Sequence, residues 1–182
     1  MINWIRNFDF AKETARKSGK AILLQFRMDN CSGCKKMNES SYLDKDIIQF
    51  VNENYIPLKL DIVKDREGRR NYPAIWTPSF YFADYSGKLF YSIDGYLNQE
   101  DFLVVLNIGL ARVLLSKGKY NEVYDLLQNA IKKHPKNPRT AALYMLKAQT
   151  HFLLNRNREE FLKLLEEIAV LFPNSAEARQ ID

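Results

Sequence analysis

The two cysteines of this 182-residue chain lie in one short segment, Cys31-Ser32-Gly33-Cys34. The segment follows an apolar run of strand length, residues 21–26, and precedes residues that favour the start of a helix. Free amides and the macrodipole at a helix N-terminus favour a thiolate on the first cysteine, and the second is close enough to resolve a mixed disulfide. The residue types and their spacing therefore predict reversible dithiol–disulfide exchange.

Three other roles for the cysteines stay open at this point. A structural disulfide would close a loop too small to stabilise the fold much. A zinc site needs about four ligands, and the chain adds to the two thiols only the distant His134 and His151. Plain core cysteines are the third possibility, although the neighbouring Lys35 and Lys36 make the segment polar. We favour the redox role and expect neither a metal nor another cofactor.

The composition indicates a globular chain with one large domain or two small ones. Apolar residues make up 46% of the sequence and aromatic residues 13%, which is enough for a sizeable core. The formal net charge of +5 comes from scattered lysines and arginines, and acids dilute the basic residues of segment 64–70. Because no basic stripe with interleaved aromatics is present, the sequence predicts a solvated surface there and no nucleic-acid binding.

Targeting signals are not evident in the sequence. Residues 1–20 lack the apolar stretch and the small-residue cleavage site of a secretory signal, and no apolar run approaches the length of a membrane span. If Met1 is the natural start, the compartment is reducing, and a single C-x-x-C pair there is more often catalytic than structural. We therefore expect a cytoplasmic protein without a membrane span, with export as the alternative if a signal peptide was removed.

Hydrophobic periodicity predicts a β-α-β unit followed by a β-hairpin. An amphipathic pattern predicts a helix over residues 8–17, and alternation predicts a strand over residues 55–62. Asp44 is suited to cap a helix over residues 46–54. A turn that contains Gly87, where glycine supplies a positive φ, joins two β-rich runs. These runs cover residues 79–83 and 88–93.

This order of elements, with Thr77-Pro78 just before the third strand, resembles the thioredoxin fold. C-x-x-C-Lys, Val-Asn-Glu-Asn-Tyr at residues 51–55 and Pro-Leu-Lys-Leu-Asp at residues 57–61 are similar to segments of the thioredoxin-like thiol:disulfide oxidoreductases. The similarity extends over residues 8–110. It implies a three-layer α/β fold with a mixed sheet and a thiol–disulfide oxidoreductase activity.

The resemblance implies a role for each residue around the dithiol. Cys31 corresponds to the exposed nucleophile, and Cys34 corresponds to the recessed, resolving cysteine. Pro78 corresponds to a proline in cis, opposite the dithiol, which turns the backbone of Thr77 toward an extended substrate chain. An ordinary trans proline at a strand start is the alternative for Pro78.

Several residues depart from the thioredoxin pattern and would tune the chemistry. Gln25 stands where thioredoxins have a buried aspartate, and a neutral amide cannot act as a general base near neutral pH. Ser32 and Gly33 replace a Gly-Pro pair that tunes the redox potential in the family. Lys35 adds positive charge that would favour the thiolate, or it serves only solubility. Candidates for taking up the proton of the resolving thiol are Asp29, Lys36 and Glu39.

Trp76 occupies the position two residues before the proline, where thioredoxins have a glycine. We expect its side chain on the rim of the substrate site, where it would offer an apolar surface to an unfolded or flexible polypeptide. The alternative is that Trp76 fills a gap in the core of its own domain.

The C-terminal part of the chain contains an internal repeat. Residues 118–135 match residues 156–173 at a shift of 38 residues, with Pro135 aligned on Pro173, and helical patterns precede both copies. Pairs of antiparallel helices ended by a proline resemble the tetratricopeptide repeat. We predict a thioredoxin-like domain over residues 1–115 and an all-α, tetratricopeptide-like domain of helical hairpins over residues 116–182. The last thioredoxin helix would also serve as the first repeat helix.

Two functional hypotheses follow. In the first, the chain is an enzyme whose Cys31/Cys34 dithiol reduces or exchanges disulfides in protein substrates that the helical tail helps to recruit, and a separate reductase or oxidant recycles it. In the second, the chain is a protein-interaction adaptor whose dithiol is a redox switch or a vestige. The repeats would bind a peptide or protein, or they would only rigidify the domain or form a homodimer contact.

Overall fold

A computed structural model describes residues 1–181, which divide into two units, Met1–Leu103 and residues 104–181. The first unit contains a four-stranded sheet with helices before and between its strands. Its elements are α1 (Phe8–Ser18), β1 (Ala21–Arg27), α2 (Ser32–Glu39), a 3₁₀ turn (Ser41–Leu43), α3 (Lys45–Asn54), β2 (Tyr55–Asp61), α4 (Arg66–Asn71), β3 (Ser79–Ala83) and β4 (Leu89–Asp94).

The sheet is mixed, with the strand order β2-β1-β3-β4. β1 runs parallel to β2, with Gln25 opposite Lys59, and antiparallel to β3, with Gln25 opposite Phe80. β3 and β4 form an antiparallel hairpin. The hairpin turn contains Gly87 with φ 91°, a left-handed conformation that glycine adopts without steric cost. The predicted three-layer α/β fold with a mixed sheet is confirmed.

Each face of the sheet is covered by its own group of side chains. Ile22, Leu24 and Phe26 alternate along β1 and pack with the buried Ala11 and Ala15 of α1 in one core cluster. The residues between them point to the opposite face. There Phe80 packs against Phe102, with ring centroids 5.1 Å apart. Because both faces of β1 are buried, its continuous apolar run is what a central strand requires.

Local signals in the sequence account for most helix boundaries of the first unit. The Asn7 side chain accepts a hydrogen bond from Phe10 N, which caps α1. The predicted cap of α3 is present, because the Asp44 carboxylate accepts hydrogen bonds from the amides of Asp46 and Ile47. The predicted helix start after the dithiol is present, and this helix ends at Glu39, before a 3₁₀ turn at Ser41–Leu43.

The short helix α4 lies in the segment that we predicted to be a solvated surface. Its side chains are exposed except for Gly68, which is buried. A Cβ atom on Gly68 would lie 2.5 Å from Leu60 Cδ1. Glycine at this position therefore allows the helix to lie closer to the sheet than a residue with a side chain would. The charged side chains lie at the surface, as predicted, but the sequence pattern did not predict the helix.

The second unit is helical. α5 (Gln99–Ser116) begins in the first unit and continues into the second. The later helices are α6 (Tyr120–Lys133), α7 (Thr140–Asn155), α8 (Arg158–Leu171) and a 3₁₀ turn (Ala178–Gln180). α6 packs against α7, and α7 packs against α8. Among residues 1–181, no helix has both the length and the apolarity needed to cross a membrane.

The internal repeat is visible in the backbone. α6 and α8 start and end 38 residues apart, at Tyr120–Lys133 and Arg158–Leu171. The residues before them, Gly118 with φ 70° and Arg156 with φ 54°, share the left-handed conformation although their side chains differ. The two copies therefore repeat in structure as well as in sequence. The domain limits 1–115 and 116–182 and the tetratricopeptide likeness stay predictions.

Candidate active site

The dithiol lies at the start of α2. Cys31 and Cys34 form a disulfide, with 5.2 Å between their Cα atoms. Cys31 is the N-cap residue, and its Sγ accepts a hydrogen bond of 3.0 Å from the backbone amide of Cys34. A backbone N–H that points at sulfur from a helix N-terminus stabilises negative charge there when the bond is reduced. The geometry fits a reactive first sulfur.

Both sulfurs are largely shielded in this disulfide form. Cys31 exposes 9% of its surface and Cys34 exposes 6%, so Cys31 is less accessible than the resemblance implies. The cap geometry turns the Cys31 side chain back over its own helix, which accounts for the small exposed fraction. The two cysteines still differ, because Cys31 lines an open cleft of about 460 Å³ and Cys34 does not. Of the two cysteines, Cys31 is therefore the one that borders this cleft.

Pro78 lies against the first turn of α2. The Thr77–Pro78 peptide bond is cis, and Pro78 is buried. A Cβ atom on Gly33 would lie only 2.8 Å from Pro78 Cδ and 3.6 Å from Tyr96 Cβ. Gly33 is therefore needed for this close approach. This steric role is separate from the tuning of the redox potential that the resemblance implies. The structure brings the dithiol and the Thr77-Pro78 segment together at one end of the sheet.

Trp76 lies at the surface beside Cys31. Its side chain is 64% exposed and lines the same cleft as Cys31, Ser32 and Thr77. The alternative that Trp76 fills a gap in the core is therefore wrong. An indole in this position can contact a polypeptide whose cysteine enters the cleft.

The lysines after the dithiol have other side chains as neighbours. Lys35 Nζ lies 3.7 Å from Glu39 Oε1, one helical turn further along α2, and both side chains are exposed. Lys36 Nζ lies 5.7 Å from the centroid of the Tyr96 ring. Asp29 forms ion pairs with Arg27 and with Lys64. Each group considered for proton transfer thus has another partner.

Gln25 is a buried residue of the central strand β1. It exposes 1% of its surface, and its Oε1 atom has no hydrogen-bond partner within residues 1–181. Such an unpaired buried oxygen usually lowers the free energy of unfolding by about 1–3 kcal/mol. An isolated acceptor of this kind suits transient hydrogen bonding to a thiol or to water.

Lys59, which the sequence analysis did not single out, lies opposite Gln25 in the sheet register. Its Nζ lies 4.3 Å from the Trp4 ring centroid and 4.7 Å from the Tyr42 ring centroid, and it donates a 3.4 Å hydrogen bond to Asn38 Oδ1 on α2. Burial, with smaller contributions from Arg6 and Arg27, lowers the pKa of Lys59 to about 8. The one available signal was a lysine flanked by apolar residues, Leu58 and Leu60, in a strand.

Metal-binding geometry is not found at the site or elsewhere in residues 1–181. No group of three or more histidine, cysteine or acidic side chains in that range is close enough to hold an ion.

Comparison with known proteins adds family information to this geometry. A family model described as a thioredoxin-like domain matches residues 8–108. The thiol:disulfide interchange protein DsbD of Campylobacter jejuni (strain RM1221) is 27% identical over 105 residues, which are 56% of this chain and 18% of that protein. A protein disulfide-isomerase of Datisca glomerata is 31% identical over 96 residues, covering 52% of this chain and 18% of that protein. The chain thus spans less than a fifth of each relative.

One solved structure supports the fold independently. A thioredoxin from Thermus thermophilus superposes with a TM-score of 0.51 at 19% sequence identity, over 58% of this chain and 84% of that chain. At this identity the likeness concerns the fold alone.

Proposed function

Because the chain belongs to the family of thioredoxin-like domains, we propose that it is a thiol–disulfide oxidoreductase that reduces or exchanges disulfides in protein substrates. The observation that carries this proposal is the Cys31–Cys34 disulfide at the N-terminus of α2, with only the first cysteine lining an open cleft. The names of the relatives, thiol:disulfide interchange protein and protein disulfide-isomerase, agree with this chemistry.

The reaction starts from the reduced dithiol. The Cys31 thiolate attacks one sulfur of a substrate disulfide, so a Cys31–substrate S–S bond forms and the substrate S–S bond breaks. The released substrate thiolate takes up a proton. Cys34 then loses its proton and attacks Cys31 Sγ, which expels the second substrate thiolate and forms the Cys31–Cys34 disulfide. Two electrons pass from the protein to the substrate, and a separate dithiol reductant returns them. The reverse sequence, with a separate oxidant, would oxidise substrates.

The neighbouring residues have distinct parts in this proposal. Thr77, next to the cis bond, would pair its backbone with the extended substrate chain as an added strand. Trp76 would cover the substrate on one side of the cleft. The helical repeats of the second unit would recruit the polypeptide that carries the disulfide, and the partner would be a protein or a peptide.

The location that we propose is the cytoplasm, with an exported form as the alternative. Both cysteines belong to the exchange pair, so the chain has no additional cysteine for a structural disulfide. Subcellular fractionation of cells that contain the tagged full-length chain tests this assignment.

Trapping of the mixed disulfide tests the activity. With Cys34→Ser, we expect reduced protein to form a stable Cys31–substrate disulfide that mass spectrometry detects, because the resolving thiol is absent. With Cys31→Ser, we expect no such adduct. Equal adducts on both variants would contradict the assignment of the attacking sulfur.

An adaptor with a redox-switch or vestigial dithiol is the second candidate, and the small exposed fraction of Cys31 favours it. The pH dependence of Cys31 alkylation in the reduced protein separates the two. An activated nucleophile alkylates rapidly near neutral pH, whereas flat, slow rates until well above neutral pH would favour the adaptor.

A further inference from the structure

The cleft beside Cys31 has an apolar rim. Met28, Ile75 and Trp76 line it with side chains that are 40%, 85% and 64% exposed, respectively. Exposed apolar groups that adjoin one another around a reactive atom mark a contact surface more often than isolated ones do. The rim therefore suits apolar side chains on both sides of a substrate cysteine.

One cation interrupts this apolar lining. Arg69 of α4 lies on the cleft together with Cys31 and Trp76. Its side chain is exposed, and no carboxylate within residues 1–181 lies within salt-bridge distance of it. The nearby Arg27, in contrast, is paired with Asp29 and Asp61. Arg69 thus offers an uncompensated guanidinium to whatever enters the cleft.

The backbone that carries Arg69 is held firmly against the sheet. The preceding residue, Gly68, is buried in close contact with Leu60, and Arg69 N donates a 3.1 Å hydrogen bond to Asp65 O. The Asp65 side chain in turn accepts a 2.5 Å hydrogen bond from Asp61 N. The start of the Arg69 side chain is therefore fixed relative to the cleft, and the side chain itself is exposed.

We propose that Arg69 makes this site selective for polypeptide segments that carry an acidic residue within about three positions of the reacting cysteine, flanked by apolar side chains. A carboxylate is an anionic group of polypeptides that matches the guanidinium fork, which binds it through paired N–H···O hydrogen bonds. The inference rests on the exchange activity proposed above and names the chemistry of its substrate.

The test uses the full chain with Cys34→Ser and a set of activated peptides. Each peptide has one cysteine, carried as a mixed disulfide with uncharged 2-thiopyridine, between apolar residues. An Asp, Asn or Lys is placed in turn at each of the three positions before and after the cysteine. The Cys31 thiolate attacks the peptide sulfur, the new S–S bond forms, and the 2-thiopyridine leaves as the thione after taking up one proton, which gives an absorbance signal.

We expect the best Asp peptide to react about five times faster than its Lys counterpart, a size set by a partly exposed ion pair. Arg69→Gln should reduce this ratio to near one, and Arg69→Glu should reverse it so that the Lys peptide reacts faster. Arg70→Glu is the matched control, because Arg70 is equally exposed on the same helix but does not line the cleft. It should leave the preference for Asp in place.

Two results would overturn the inference. If the wild-type background shows equal rates for Asp and Lys peptides at every position, Arg69 does not select substrates. If Arg70→Glu changes the ratio as much as Arg69→Glu does, the preference comes from the general field of the protein. The same Cys34→Ser protein is also reacted with 2,2′-dithiodipyridine, which carries no charge. This control separates a lack of substrate selection from a lack of exchange activity. An unreactive Cys31 would overturn both proposals.

Discussion

Both units of this chain have ion pairs on helix surfaces, but they differ in their other polar groups. In Met1–Leu103, chemically unusual groups are buried or packed closely, as with the unpaired Gln25 Oε1 and with Lys59 between two aromatic rings. In residues 104–181, ion pairs join residues that are close along the chain, such as Lys163 with Glu159 on α8 and His151 of α7 with Glu160 of α8, both at 2.8 Å. The first unit brings together residues that are distant in sequence, whereas the second repeats one local pattern. We therefore assign the proposed reactivity to the first unit, whereas the second contributes periodic packing.

The largest expected effect is at the first sulfur. Cys31→Ser should lower the rate of disulfide exchange by about a thousandfold or more, because the attacking thiolate is lost. The rate of reduction of a protein disulfide by the reduced chain measures this effect. Circular dichroism should show unchanged helix content, since the buried apolar groups are untouched. Exchange at a rate near that of the wild type would contradict the assignment of reactivity to the first unit.

A core substitution in the second unit tests whether that unit contributes stability without affecting exchange. Leu127 in α6 is fully buried, and Leu127→Ala should lower the free energy of unfolding by about 2–5 kcal/mol through lost contacts and a cavity. The exchange rate per folded molecule should stay at the wild-type value. Urea denaturation and exchange kinetics on one preparation measure both quantities.

Leu162→Ala in α8 is the matched control for that substitution, because this leucine is 46% exposed. We expect its effect on the free energy of unfolding to be within about 0.5 kcal/mol. A loss of exchange in Leu127→Ala under conditions where the protein is folded would show that reactivity is not confined to the first unit.

The close approach of Gly33 and Pro78 gives an intermediate effect. Gly33→Ala would place a Cβ atom 2.8 Å from Pro78 Cδ, so the helix or the proline must shift. We expect a loss of about 1–3 kcal/mol in the free energy of unfolding together with slower exchange. Ser32→Ala, at the exposed neighbouring position, should cost little stability. Equal stability of the two variants would mean that the contact is not needed.

Lys59 gives the smallest effect and one that depends on pH. Below pH 8 the amine is charged in both the folded and the unfolded chain, so its burial destabilises the fold. Between about pH 8, the folded pKa, and 10.5, the unfolded one, the unfolded chain binds more protons, and stability rises with pH. Above pH 10.5 the amine is neutral in both states, so burial of its charge no longer destabilises the fold. Allowing for the exposed part of the side chain, we expect a gain of about 1 kcal/mol.

The measurement for Lys59 is a difference between two proteins. The free energy of unfolding of the wild type, minus that of Lys59→Met, should increase from pH 7.5 to pH 10.5, a range spanning the interval set by the two pKa values. Taking the difference cancels the ionisation of tyrosines such as Tyr72, whose pKa burial raises to about 12. Lys45→Met, which removes an exposed amine, is the control. A flat difference for Lys59→Met would show that this lysine is solvated like the charges of the second unit.

Much of this molecule could be predicted from its sequence, because the signals are local. Alternation and apolar runs located all four strands, Asp44 marked the start of α3, and the 38-residue shift reappears in the bounds of α6 and α8. The dithiol at a strand-to-helix junction was evident from two residues and their neighbours. α4 was missed because its six residues are too few and too polar to show a helical period.

The sequence by itself determined the order of elements, the position of the two sulfurs and the repeat, since each depends on residues that are close along the chain. Only the tertiary structure decided that Pro78 meets Gly33, that Lys59 faces Gln25, and that Arg69 shares a cleft with Cys31. These contacts follow from strand register and from the packing of helices on the sheet. No single segment encodes them, because each requires two distant stretches of chain to be placed at once.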